Sequence, residues 1–415
     1  MSRIIELVDT IHLDRRIDKE LIFTSIEAGI VTAVRKQYGE DVEITIEIDR
    51  KTGRITGKRD GESINEEIVE RIGAQSAKQV IIQKIREAEC NSLYDEYYPK
   101  IGQLLSGEVV KNERGNTIIS LPHTGATTRG EKEKIEAILL RSEKIPGEDF
   151  RIKTMVRALI VDVKKDPSRV KVIVSRTRPL FVQRLFEQEI PDIADGVVEI
   201  KGLAREAGHR TKIAVHSTDT RVDPVGACIG VRGSRIKHIT EEINERIDVI
   251  PWDNDLQVFI PNTLKPAEVE EVILCAMLGR AYVLVKPDQR SLAIGRRGQN
   301  IRLASKLCGW DVDIMTRDEL EAMLEKAVAK YTAIDGVTPE LADRLVGEGF
   351  LTYEDLSVIE PIDLMQMGEL TEEQQIHISE QADELAEKEA VEGTGRVVNS
   401  PRDEDENSSG SGGEG

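Results

Sequence analysis

The sequence predicts a multidomain α+β protein with a helical head, a small β-barrel, a duplicated α/β unit and an acidic helical end. Three observations predict this class. The 415 residues allow a few domains at roughly 150 residues each. Stretches of helical and of alternating apolar spacing follow one another along the chain. A pattern of glycines, arginines and apolar residues recurs at an offset of 65 residues.

The sequence contains no signal for export, membrane insertion or metal binding. The charged start lacks the apolar core of a signal peptide, and the longest apolar run, Val272–Leu278, is too short to span a membrane. Cys90, Cys228, Cys275 and Cys308 are far apart, without a CxxC pair or a histidine at ligand spacing. We therefore expect a cytoplasmic protein without a metal or other cofactor.

The net charge of −19 is concentrated at one end of the chain. From Asp318 onward there are 26 Asp/Glu against 6 Lys/Arg, which leaves 50 acidic and 51 basic residues before it. The body is therefore close to neutral. A nucleic-acid surface on this body must come from basic residues gathered on particular loops.

The first 103 residues predict an α/β head with long helices. Residues 3–39 have helical apolar spacing, and so have residues 65–98. Between them, apolar residues fall on every second position of Val42–Ile48, as a half-buried strand requires.

Residues 104–176 predict a small barrel, because short strands alternate with glycine, proline and polar turns. Phe150 is the only aromatic residue between Tyr98 and Phe181, which gives little support for base stacking on the barrel. A spacer or a protein contact is an open alternative to RNA binding. The expected strands are 107–110, 116–119, 155–163 and 170–174.

The strongest internal signal is the repeat, in which Ile229–Gly233 matches Ile294–Gly298. Each copy has predicted strands, a helix, Gly-x-x-Gly, a second helix and a last strand. This order is typical of a type II KH domain, which binds single-stranded RNA. We therefore predict a first KH domain at residues 177–262 and a second at 263–317.

A Gly-x-x-Gly turn between helices suits a nucleic-acid backbone. Glycines have no Cβ, so a sugar-phosphate chain can approach, and the N–H groups that begin the second helix favour phosphate. Arginines in the loops add charge-assisted donors, and bases would lie on a groove floor that includes Ile229, Ile236, Ile294 and Ile301. The predicted RNA-binding residues are Gly230, Val231, Arg232, Gly233, Arg235 and Lys237 in the first copy, and Gly295, Arg296, Arg297, Gly298, Gln299, Asn300 and Arg302 in the second.

A single Gly-x-x-Gly has a simpler explanation, because any tight turn between helices can use glycines. Two copies occur in register, each with an arginine before its second glycine. Chain reversal alone does not require this arginine, so the repeat favours a function in binding. A degenerate copy kept for packing is the remaining alternative. If both copies bind, the second contact is intramolecular and the pair binds more tightly than either copy alone.

Particular segments carry a resemblance to a known family. Gln289–Ala304, Arg205–Val215, Arg71–Val80 and Ile145–Glu148 resemble segments of the NusA family of bacterial transcription termination/antitermination factors. The similarity is densest over residues 196–316, which resemble the family's tandem KH region, and it covers most of the chain before the acidic end.

The resemblance implies an RNA-binding transcription elongation factor rather than an enzyme. The head would dock on core RNA polymerase, while an S-one-type OB fold and two KH domains would hold nascent RNA. Such a monomer would modulate pausing, intrinsic termination and antitermination. By position, Arg176 and Arg178 would lie near the junction of the OB and KH units. Two stretches depart from the family pattern: the head is shortened between Ile55 and Ile72, and Leu121–Gly130 does not match the usual OB loop.

The acidic end predicts a helix-hairpin-helix bundle at residues 331–388 and a disordered tail at 392–415. Thr338 followed by Pro339 predicts an N-cap, and Gly349 suits a C-cap. Thr352 with Asp355, and Thr371 with Gln374, have the spacing of capping boxes. The tail is too polar to form a core.

The bundle resembles the acidic repeats of some family members, which bind regulatory proteins or a polymerase subunit. Binding of other elongation or antitermination factors is therefore one expectation, and a solvated bundle without a partner is the other. The acidic charge also predicts competition with RNA for the KH loops.

Two other classes of protein are alternatives to an RNA-binding transcription elongation factor. Phosphorolytic exoribonucleases also combine KH and S-one-type units, but this chain has no room for their two catalytic domains. The modules also occur here in the opposite order along the chain. A translation or ribosome-associated RNA-binding protein would contain the same modules. This class does not account for the predicted head helix that contains Arg71–Val80.

Overall fold

The computed structural model of the chain describes residues 3–15, 18–38, 42–59, 62–64, 66–121, 135–166 and 169–392. The atypical segment predicted after Leu121 and the tail predicted to be disordered after Glu392 lie outside these residues. The chain divides into two compact units, one formed by Met1–Thr211 with Ser217–Val249 and the other by Lys212–His216 with Ile250–Gly415.

Within its described residues, the head combines three helices with an antiparallel sheet of order β1-β2-β3. Its elements are α1 (Arg3–Arg15), α2 (Lys19–Tyr38), β1 (Ile44–Ile48), β2 (Ile55–Arg59), β3 (Glu62–Ser63) and α3 (Glu66–Tyr97). The sequence predicted one helix over residues 3–39, whereas the chain forms two. Asp18 accounts for the second start, because its carboxylate accepts a hydrogen bond from the Glu20 N–H group at 2.7 Å and so acts as a cap.

A closed barrel of five strands follows the head, in the order β4-β5-β6-β8-β7. The strands are β4 (Leu104–Glu113), β5 (Asn116–Leu121), β6 (Ile135–Leu139), β7 (Met155–Asp166) and β8 (Arg169–Ser175). Four of them match sequence predictions, and β6 was missed because it is short and follows a polar, charged run. Tyr97 at the end of α3 is buried against the apolar residues inside the barrel, so the helix packs on the barrel.

The first repeat contains a three-stranded sheet of order β11-β10-β9. Its elements are α4 (Pro179–Glu189), α5 (Pro191–Ala194), β9 (Val198–Glu206), β10 (Arg210–Ser217), α6 (Pro224–Ile229), α7 (Ser234–Ile243) and β11 (Arg246–Pro251). The second repeat has the matching sheet order β12-β13-β14, with β12 antiparallel and β14 parallel to β13. Its elements are α8 (Leu256–Leu264), β12 (Val269–Cys275), β13 (Arg280–Val285), α9 (Pro287–Ile294), α10 (Gln299–Cys308) and β14 (Asp311–Met315).

The acidic end is helical up to Glu392. It consists of α11 (Arg317–Tyr331), α12 (Pro339–Gly347), α13 (Tyr353–Ser357), α14 (Pro361–Gly368) and α15 (Glu372–Glu392). The predicted N-caps are confirmed: the Thr338 hydroxyl accepts from the Leu341 N–H group, and Thr352 forms a reciprocal box with Asp355. The C-cap of α12 is Glu348, and Gly349 follows it. Among the described residues, no helix combines the length and the apolar character that crossing a membrane requires.

The sheet of the second repeat is covered on both faces. Ala281, Val283 and Val285 of β13 pack with the residues of α8, α9 and α10. The alternate residues Tyr282 and Leu284 pack with α11 to α15. Because successive residues of a strand point to opposite faces, the acidic helices and the α9–α10 pair lie on opposite sides of this sheet.

A buried ion pair and a close approach join the acidic helices to this sheet. Arg280 Nη1 lies 2.8 Å from Asp355 Oδ1, and the Asp355 side chain is only 4% exposed. Gly349 has φ +92°, and a Cβ built on it would lie 2.0 Å from Cys275 Sγ. Only glycine therefore fits at position 349 without displacing the strand.

We expect Gly349→Ala to lower the free energy of unfolding by about 2 kcal/mol, because it adds both backbone strain and a steric clash. Urea unfolding of the full chain measures this loss. Gly347→Ala is the matched control, because no atom lies within 4 Å of a Cβ built there. Equal stability of the two variants would contradict the proposed fit.

Candidate RNA-binding loops

The first loop reverses the chain between α6 and α7 with three residues in the left-handed region. Gly230 has φ 74°, Arg232 has φ 52° and Gly233 has φ 76°. A Cβ on Gly230 would lie 2.8 Å from Arg235 Cγ. The first glycine is therefore required by close packing as well as by backbone conformation.

The second loop, between α9 and α10, has nearly the same conformation. Gly295 has φ 76°, Arg297 has φ 53° and Gly298 has φ 71°. A Cβ on Gly295 would lie 2.7 Å from the Cβ of Asn300. The sequence repeat is therefore a repeat of backbone geometry, position by position.

Both loops lead directly into helix N-termini suited to anions. Neither Gly233 nor Gly298 provides a side-chain cap, so the first N–H groups of α7 and α10 have no N-cap side chain to which they can donate a hydrogen bond. Such groups, with the positive end of the helix dipole, favour phosphate. The guanidinium groups of Arg232, Arg296 and Arg297 are exposed beside them.

The predicted site residues fall into three groups by exposure. The exposed residues are Val231, Arg232, Lys237, Arg296 and Arg297. The half-buried residues are Gly230, Gly233, Arg235, Gly295, Gly298, Gln299 and Arg302. Asn300 alone is buried, at 1% exposure. The exposed group supplies the surface that a ligand would meet.

The four isoleucines predicted to line the groove floor differ in exposure. Ile229 is 37% exposed, whereas Ile236 is half-buried. Ile294 and Ile301 are partly buried and pack against the core of the second repeat. Ile294 and Ile301 therefore present apolar edges and also anchor α9 and α10 on this core.

Arg235 and Asn300 occupy equivalent positions and both bond inward. Arg235 Nη1 donates to the Ala227 carbonyl at 2.7 Å and to Asp192 Oδ2 at 2.6 Å. Asn300 Nδ2 donates to the carbonyls of Ala293 at 3.0 Å and Leu264 at 3.2 Å. Sequence reasoning did not identify Asp192, because nothing in a local pattern connects it with Arg235.

Arg176 joins the barrel to the helix that follows the first loop. Its guanidinium is 2% exposed and pairs with Glu148 at 2.7 Å and Glu242 at 2.9 Å. Glu242 belongs to α7. Arg178 lies nearby, pairs with Glu143 at 3.1 Å and is 60% exposed. Arg176 therefore connects the barrel region with the first repeat.

A second buried pair reinforces this junction. Arg205 and Glu245 are 1% and 0% exposed, with 2.5 Å between Nη2 and Oε1. Arg205 Nη1 also donates to the carbonyls of Arg176 and Arg178. Sequence reasoning missed this pair, although Arg205 lies within a segment that resembles the family.

His216, Trp252 and Cys228 have structural roles. His216 packs edge-to-face on Trp252, with 5.3 Å between ring centroids, and Trp252 packs against Ala214 and Phe259. Burial raises the pKa of Cys228 to about 12, so this thiol beside the first loop is neutral near pH 7. In the part of the chain that the structure describes, no cluster of potential ligands could hold a metal ion.

The repeated fold and loops define a protein with tandem KH domains. Family models match residues 176–252 as the NusA-like first KH domain, 256–322 as the NusA-like second KH domain and 3–70 as the NusA N-terminal domain. The proteins of Rickettsia conorii and Rickettsia prowazekii, each described as "Transcription termination/antitermination protein NusA", are both 32% identical to the chain over 420 residues. These alignments cover 91% of this chain and 81% of each relative. The chain belongs to the NusA family.

A solved structure described as "Crystal structure of APE1850" matches 33% of this chain and 97% of its own length. Its sequence identity is 24% and its TM-score is 0.27. This TM-score is too low to support an inference about the fold.

Proposed function

We propose that the chain is an RNA-binding transcription elongation factor that associates with RNA polymerase and nascent RNA and modulates pausing, intrinsic termination and antitermination. Both relatives named above are described as transcription termination/antitermination proteins. The observation that carries the proposal is the pair of Gly-x-x-Gly loops, which share their backbone conformation and expose arginines at helix N-termini. Phosphate-binding geometry repeated in one chain favours a polymeric, single-stranded ligand.

We expect direct RNA contacts from the exposed members of the predicted set, whereas Asn300 is buried. The exposed arginines Arg232, Arg296 and Arg297 would contact phosphates, together with backbone N–H groups at the glycines. Lys237 is exposed one turn into α7, where it would extend the same contact. Binding would be local, because the body carries almost no net charge.

We also propose a function and fold for each domain of the chain. The five-stranded closed barrel supports an OB fold at residues 104–176, and the capped helices support a helix-hairpin-helix bundle at 331–388. The KH boundaries at 177–262 and 263–317 are proposals of the same kind. The head at 1–103 would contact RNA polymerase, and the acidic bundle would contact a further elongation or antitermination factor.

In vitro transcription across a hairpin terminator tests the function. We expect the protein to change the fraction of transcripts that read through and the dwell time at a hairpin-stabilised pause. A variant with Arg232→Asp and Arg297→Asp should lose most of this effect, because the loops would then repel phosphate. Unchanged pausing and readthrough with the unmodified protein would contradict the proposal. Co-purification with ribosomal subunits instead of polymerase, or phosphate-dependent RNA decay, would favour the two competing classes.

A further inference from the structure

We propose that Asp192 and Arg235 form a clamp that holds the first KH loop in its RNA-binding conformation. This inference rests on the proposed RNA binding and changes the role of one residue within it. Arg235 becomes a positioning residue instead of a phosphate contact. Asp192, which no sequence pattern identified, becomes its partner.

One guanidinium connects three segments around the loop. Arg235 is the second residue of α7, and its Nη1 atom donates to the Ala227 carbonyl in the last turn of α6. The same atom donates to Asp192 Oδ2 on α5, at 2.6 Å. The loop residues lie between Ala227 and Arg235 in the chain, so this bond spans the base of the loop.

The second repeat makes a similar connection with different chemistry, displaced by one residue on the helix before the loop. Asn300 is the second residue of α10, and its amide group bonds to Ala293 near the end of α9 and to Leu264 at the end of α8. Asn300 is 1% exposed, so it reaches no ligand directly. A shared connection made by a cation in one copy and by a neutral amide in the other indicates a structural task for this position.

The loop needs such support because its backbone is unfavourable for residues that carry a Cβ. Arg232 has φ 52° and Arg297 has φ 53°, in a region that non-glycine residues seldom occupy. Conformations of this kind persist where the surroundings determine them. Arg235 and Asn300 are also the side chains against which Gly230 and Gly295 pack.

The clamp and a direct RNA contact predict opposite results for one substitution. Asp192 is an acid near an RNA-binding loop, so its removal should strengthen binding by charge alone. If Arg235 contacted phosphate directly, removal of Asp192 would also free it for the ligand. If the pair is a clamp, the same change loosens the loop and weakens binding.

The test compares the affinity of the full-length chain for a labelled single-stranded RNA at fixed salt. We expect Asp192→Asn to bind about three- to fivefold more weakly, since it weakens one charge-assisted hydrogen bond in a half-exposed pair. Asp192→Glu should restore most of the affinity, because it retains a carboxylate. Such a rescue would not be expected if Asp192 acted only by its repulsion of RNA.

Asp195→Asn is the matched control. Asp195 directly follows α5 and is exposed. Its substitution by Asn removes the same charge as Asp192→Asn, and we expect unchanged or slightly tighter binding. Melting curves recorded in the same buffer show that both variants are folded at the assay temperature. Binding by Asp192→Asn that equals or exceeds that of the unmodified chain would overturn the clamp. Failure of the unmodified chain to bind RNA would overturn the proposed function itself.

Discussion

Replacement of Arg232, Gly233, Arg297 and Gly298 with Asp should weaken single-stranded RNA binding on the order of 100-fold, since both phosphate-binding loops become acidic. The slope of log K against log salt should also fall, by about 0.7 for each lost phosphate contact. A fluorescence titration at several salt concentrations measures both quantities.

The fold should survive these changes. A Cβ on Gly233 meets no atom within 4 Å, and one on Gly298 meets only Ile301 Cγ2 at 3.9 Å. Aspartate is also among the residues that tolerate a positive φ. Lys326→Asp with Lys388→Asp is the control, because it reverses two exposed charges on the acidic helices. Equal losses in the two variants would mean that net charge, not the loops, determines the affinity.

The position of the acidic helices alters the expectation of competition with RNA. The sequence predicts that the acidic end competes for the KH loops by charge alone. In the second repeat, however, the folded acidic helices pack on the sheet face opposite to α9 and α10. Their apolar residues therefore lie on the other side of the sheet from the two helices that flank the Gly295–Gly298 loop, although Glu319 of α11 pairs with Arg290 of α9 at 2.7 Å. A truncation before Asp318 would also uncover Tyr282 and Leu284, so any change in affinity that it produced would have two causes.

Features determined by nearby residues were predictable from the sequence. The two loops, the caps at Thr338 and Thr352 and the alternation in β1 all depend on spacings of a few residues. The repeat added a comparison between two copies, which made the glycines and arginines informative. The finer roles of the loop residues are still predictions.

Features determined by distant residues were not predictable. Arg235 and Asp192 are 43 positions apart, and Arg280 and Asp355 are 75 apart. Periodicity contains no information about which cation meets which carboxylate at such separations. For the same reason, the amphipathic pattern indicated that the acidic helices bury an apolar face but did not show that the second KH sheet covers it.

Arg176→Met should destabilise the first unit by about 3–5 kcal/mol, because it leaves carboxylates without their buried partner. Arg176 donates to both Glu148 and Glu242 and to the carbonyls of Arg157 and Glu242. Methionine fills part of the volume but restores none of these bonds. Chemical denaturation of the full chain, followed by circular dichroism, measures the loss.

Arg178→Met is the matched control for this effect. Arg178 is 60% exposed and has one carboxylate partner, Glu143, so its loss should cost less than about 1 kcal/mol. Similar losses for the two variants would contradict a special role for Arg176. Adding Glu148→Gln to Arg176→Met should recover part of the stability, because it removes a carboxylate that has lost its ion-pair partner, whereas Glu242 still pairs with Arg157.

The substitution Arg176→Met should affect RNA binding as well as stability. Glu242 lies on α7, and α7 begins immediately after Gly233, so Arg176 fixes the helix whose N-terminus completes the first loop. We therefore expect Arg176→Met to weaken RNA binding through the first loop even where the unit is still folded. Because Arg176 is buried and cannot reach RNA, the salt dependence of the remaining binding should change less than in the loop variant.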